Sequence, residues 1–117
     1  MRHHKKNRKL GRVKRQRVAL LRSLARSLVL SEGLITTTAK AKTLRPFIER
    51  LITTSKRNDL ASYQMTLSRL GGAREANKKL HELATRFGKR SGGYTRIVRL
   101  GQVGKRVGEM ARIEFVK

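Results

Sequence analysis

The chain has no cysteine, which excludes disulfide staples, thiolate metal sites and thiol chemistry anywhere in its 117 residues. Acidic side chains are almost as scarce: seven Asp and Glu stand against thirty Lys and Arg. Those seven are scattered, so no two carboxylates are placed to share acid and base duties, and no nucleophile with a supporting base accompanies them. No catalytic residue is therefore assigned. With three Phe and two Tyr, the chain is also poorly equipped to read single strands by stacking bases. Long hydrophobic runs are missing too. The longest nearly apolar stretch, Val18 to Leu30, carries Arg22 and Arg26 and is too short to cross a bilayer. Met1 is followed by charged residues and not by an apolar leader, so a cytoplasmic location is expected, with no membrane and no small-molecule substrate as partner.

What is present in excess is positive charge. A net +23 in so short a chain is self-repelling, and it is best matched by a polyanion that accompanies the protein at work. Nucleic acid is the default partner. Residues 2–17 hold nine of the cations and only two aliphatic side chains, Leu10 and Val13. Such a segment cannot bury enough apolar surface to offset its ordering entropy and should be disordered when free. We divide the chain into a basic tail, residues 1–12, and one domain, residues 13–117. No helix-turn-helix, zinc-finger or zipper pattern for a DNA groove is present, which leaves recognition of phosphates and shape.

The domain reads as α+β: two layers in the order α-β-α-α-α-β-β, with a small three-stranded mixed sheet. Leu21, Leu24, Ala25 and Leu28 make one face of a first helix, with Arg15, Arg22 and Arg26 on another. It should end near Ser31, with Gly33 taking the left-handed position. Leu34 to Thr37 suits a strand, and Thr37 or Thr38 can cap a second helix, bent at Pro46, whose stripe of Leu44, Ile48, Leu51 and Ile52 stays in phase on both sides of the proline. A third helix, capped by Asp59, is expected to bury Leu60, Tyr63, Leu67 and Leu70 and to stop at Gly71 and Gly72. A fourth, from Arg74 to Phe87, buries Ala76, Leu80, Leu83, Ala84 and Phe87. The period then changes to two, giving a hairpin of strands around Ile97 and Ile113 joined by a Gly-rich loop, residues 101–109.

Two registers are open for the hairpin. One turns Ile97 and Ile113 into the core and leaves Tyr94 and Arg96 outside to meet RNA. The other buries Tyr94 and Val98 and leaves Arg96 at the edge of the core. The apolar face made by Ala111, Ile113 and Phe115 favours the first.

The candidate RNA contacts begin in the tail and the root of the first helix: Arg2, Lys5, Lys6, Arg8, Lys9, Arg12, Lys14, Arg15, Arg17 and Arg22. His3 and His4 are adjacent, point in divergent directions and have no further ligands nearby, so they suit hydrogen bonding or stacking on RNA and not a metal. Arg90, Tyr94 and Arg96 in the basic turn form a second group. No cofactor is implied.

Several segments together have the order and spacing of one family: Met1-Arg2-His3, Arg8-Lys9-Leu10, Ile35-Thr36-Thr37, the run Lys40-Ala41-Lys42-Thr43-Leu44-Arg45, and Gly92-Gly93-Tyr94-Thr95-Arg96-Ile97. From end to end the chain resembles bacterial large-subunit ribosomal protein seventeen. The resemblance implies an α/β fold in the order given above, a non-catalytic role, and binding of large-subunit ribosomal RNA, with Lys40 and Lys42 added to the contacts. It also implies a place near the peptide exit and neighbouring large-subunit proteins, the thirty-second among them.

Overall fold

The computed structural model describes residues 10–105 and 108–116. Helix α1 (Lys14–Ser31) leads into strand β1 (Gly33–Thr37), followed by helices α2 (Thr38–Ser55), α3 (Leu60–Arg69) and α4 (Arg74–Arg86) and by strands β2 (Thr95–Gly101) and β3 (Met110–Phe115). This is the α-β-α-α-α-β-β order. The sheet runs β1-β3-β2 and is antiparallel at both ladders, not mixed as the sequence suggested. The hairpin reverses β3 against β2 and inserts it beside β1, so the last strand is central and opposes both neighbours.

Alternation along β3 sets the layers. Ala111, Ile113 and Phe115 are buried, and Ile113 stands between Leu34 of β1 and Ile97 of β2. The Ala41, Leu44, Ile48 and Ile52 stripe of α2 packs against the sheet, and Ala25, Leu28 and Val29 of α1 with Leu80, Leu83 and Ala84 of α4 complete the same core. α2 passes through Pro46 unbroken. Pro46 is exposed, so the Lys42 carbonyl that loses its helical donor lies on the solvent side. At the start of α2, the Lys40 N–H donates to the Thr37 hydroxyl at 3.3 Å.

Three local expectations give way. The left-handed residue after α1 is Glu32, with φ 62°, and its N–H donates to the Leu28 carbonyl at 2.7 Å. Its carboxylate is gripped by Arg86 at 2.7 Å and Lys79 at 3.4 Å. Gly33 serves otherwise: a Cβ there would collide with the Arg112 guanidinium laid across it.

The second concerns α3. Asp59 caps it through a capping box with Ser62, as expected. Its buried face, however, is Ser62, Thr66 and Leu70, while Leu60 and Tyr63 are exposed and Leu67 is half-buried. The reason is a polar seam to α4. Thr66 donates to Asn77 Oδ1 at 2.6 Å, the Asn77 amide donates to the Tyr63 carbonyl at 3.1 Å, and His81 Nε2 lies 3.1 Å from the Thr66 hydroxyl.

The third concerns the start of β2. Ile97 and Ile113 face the helices and Arg96 is outside, as the favoured register requires, but Tyr94 is buried instead of lying beside Arg96. The strand begins only at Thr95, and Tyr94 is drawn inward before alternation sets in. Its N–H donates to Glu49 Oε1 at 3.0 Å, its carbonyl accepts from Val116 N at 2.9 Å, and its ring meets Phe87 at 5.3 Å.

Candidate nucleic-acid interface

Helical spacing builds a strongly cationic concavity. On α1, Lys14, Arg17, Val18 and Leu21 fall three and four apart and share one face. On α2, Lys42, Pro46 and Arg50 fall four apart and share another. Where the two faces meet they line a groove, with Val18, Leu21 and Phe47 supplying apolar surface and Lys14, Arg17, Lys42 and Arg50 the charge. Among the described residues, no carboxylate lines it.

The chain enters this groove at Leu10, also part of its lining. Leu10 and Gly11 are both left-handed, at φ 53° and 65°, and turn the backbone into α1. Arg12 Nη1 donates to the Leu10 carbonyl at 2.6 Å, and Arg17 Nη1 donates to the Arg12 carbonyl at 2.7 Å. Each guanidinium keeps further donors in its planar fork for other acceptors. The root of the tail is thereby fixed beside the groove. Residues 2–9, which hold the remaining tail candidates Arg2, His3, His4, Lys5, Lys6, Arg8 and Lys9, lie outside the described residues.

The other expected residues are dispersed. Arg15 and Arg22 line a shallow hollow on another side of α1 with Lys14, and Arg22 also lies against Gly71 in the α3–α4 turn. Lys40 is half-buried in the first turn of α2. Arg90 closes its own loop by donating to the Gly93 carbonyl at 3.2 Å, and Arg96 is paired with Glu114 at 3.0 Å. Tyr94 has almost no exposed ring to offer a base. Arg50 and Phe47 were missed by sequence reasoning. The spacing of Lys42, Pro46 and Arg50 carried that signal, but it becomes meaningful only once α1 is known to lie alongside.

The placement of the acids sharpens the asymmetry. Glu32 is held below the ordinary carboxylate range chiefly by its hydrogen bond to Arg86, and Glu114 chiefly by its bond to Arg96. Asp59 is lowered by the Ser62 backbone N–H at the cap of α3. Glu49 bridges Arg45 at 3.3 Å and the Tyr94 N–H. Glu32, Glu49, Asp59 and Glu114 are thus each held by partners of their own, and none of them lines the groove.

Residues 20–116 match the sequence profile of the family described as ribosomal protein L17. The chain belongs to that family. It is 51% identical to the large ribosomal subunit protein bL17 of Hydrogenobaculum sp. (strain Y04AAS1), covering the whole of both chains. It is 45% identical to that of Gemmatimonas aurantiaca, over 99% of this chain and 98% of the relative. For the Sphingopyxis alaskensis protein the identity is 42%, over 99% of this chain and 84% of the relative. The L17 family is a structural, non-enzymatic component of the ribosome. Among the described residues, no helix is long and apolar enough to cross a membrane.

Proposed function

We propose that the chain is a structural constituent of the bacterial large ribosomal subunit and that it binds large-subunit ribosomal RNA along the α1–α2 groove, with the cations of residues 2–9 extending the same contact. The observation that carries this reading is a groove holding Lys14, Arg17, Lys42 and Arg50 without an opposing carboxylate among the described residues. Such a surface binds by neutralising phosphates and releasing their counterions, and does not need base-specific contacts. Arg22 and Lys40 lie further along the same two helices and suit contacts at the margins. Arg90 and Arg96 would meet RNA only at the sheet end of the molecule. Large-subunit proteins lie alongside, and the family resemblance points to the thirty-second.

Binding to large-subunit RNA should weaken steeply with salt, with a log–log slope of about −0.7 to −0.9 per phosphate contact. Replacing Lys14, Arg17, Lys42 and Arg50 by Ala together should flatten that slope by about three units while leaving the fold intact. Filter binding over a salt series measures it. An unchanged slope would remove the groove from the interface.

A further inference from the structure

Beside the groove lies a second hollow that phosphate binding does not use. It opens between α2, α3 and the turn before β2, and has a volume of about 470 Å³. Phe47 and Met65 form its apolar wall, Tyr94 closes the bottom, and Arg50 and Arg69 are at the lining with Glu49. Phe47 and Arg50 belong to both hollows, so the two share a wall. Met65 is 48% exposed, an apolar side chain left open in a molecule of net charge +23.

We propose that this cavity receives one unpaired nucleobase extruded from the RNA that lies in the α1–α2 groove; the proposal rests on the groove being an RNA-binding surface. Three features favour a base over other occupants. The volume is in the range of small-ligand pockets and exceeds what a single base requires. Two arginines beside an apolar slot match a planar ring with phosphates on either side, and a guanidinium plane is itself a surface on which bases stack. The shared wall lets a backbone held by Arg17 and Lys42 pass Arg50 and reach the slot, whose Glu49 already accepts from Arg45 and from the Tyr94 N–H. Inside the slot Tyr94 is a floor and not a stacking partner, since it is 1% exposed and its hydroxyl lies 3.2 Å from that of Thr53.

Glu49 gives the slot a preference. Its oxygens already accept from Arg45 and from the Tyr94 N–H, which fixes the carboxylate in place and neutralises it in part. A carboxylate only accepts, so it favours a base edge carrying an amino group, as in adenine, cytosine or guanine, over uracil, whose one donor, N3–H, is flanked by two carbonyl oxygens that would face the carboxylate.

The test uses the full chain and three short RNA hairpins alike except at one position: fully paired, with a single bulged adenosine, or with a single bulged uridine. The bulged-adenosine hairpin should bind about tenfold tighter than the paired one, with the bulged uridine in between. Met65→Ala should abolish most of the preference and leave affinity for the paired hairpin unchanged. The Met65 side chain is exposed, so the fold does not depend on it. The Met65 methyl resonance should shift upfield on adding the bulged-adenosine hairpin and not on adding the paired one. Arg17→Ala should weaken all three hairpins equally, which separates groove from slot. Equal affinity for the paired and bulged hairpins, with Arg17→Ala still weakening both, overturns the slot and keeps the groove, as would be seen if a protein segment filled the cavity. Salt-insensitive binding unaffected by Arg17→Ala overturns the groove as well.

Discussion

Thr66 shows how a single hydroxyl can replace an apolar contact in a helix interface. It carries one proton and has the Asn77 amide oxygen at 2.6 Å and the His81 ring nitrogen at 3.1 Å. If its proton goes to the shorter contact, His81 Nε2 must supply the hydrogen for the longer one. Burial lowers the His81 pKa below its ordinary 6.5. The unfolded chain therefore binds this proton more readily than the folded one, and stability is complete above about pH 6.5 and declines as the pH falls from there toward the lower folded value. Glu32, Asp59 and Glu114 are shifted down and titrate at lower pH, so they do not obscure this window. Melting temperature should fall between about pH 7 and pH 5.5, and His81→Gln, which retains a nitrogen donor, should flatten that fall. An identical pH profile in the variant would show that another group is responsible.

At the scale of the element, α3 depends on its ends. Ser62 and Thr66 supply most of its buried face, so little hydrophobic burial holds it and the Asp59 capping box matters correspondingly more. Asp59→Ala should cost about 1 kcal/mol in chemical denaturation and expose the amides of 60–63 to faster hydrogen exchange. A stability equal to the parent would contradict this. The same polarity explains why the face of α3 was misread. Periodicity counts apolar residues, and Leu60 and Tyr63 offered a plausible stripe, whereas Ser62, Thr66 and Asn77 become a buried seam only when α3 and α4 are side by side. α1, α2, α4 and β3 were legible because their buried positions are mostly aliphatic and repeat at one period. Tyr94 was not, because alternation holds inside a strand and it sits one residue before β2.

For the whole molecule, thirty cations against seven acids make folding a compression of like charge. Added salt should therefore raise the melting temperature of the free protein, sulfate more than chloride, while it weakens RNA binding. A melting temperature that drops with sulfate would mean that the Glu32 and Glu114 ion pairs outweigh the repulsion. The cationic character of the groove was legible in Lys14, Arg17 and Lys42, but its shape was not, since no single-helix pattern records which helix lies beside which. The strand order β1-β3-β2 has a further consequence, in time and not in space. A ribosome extrudes the N-terminal side of a chain first, so the basic segment and α1 emerge early while β1 and β2 remain without a ladder. Both wait for β3, which follows them in the chain. The sheet therefore closes in one late step, and until then a highly basic, half-folded polypeptide is exposed to every RNA near its site of synthesis.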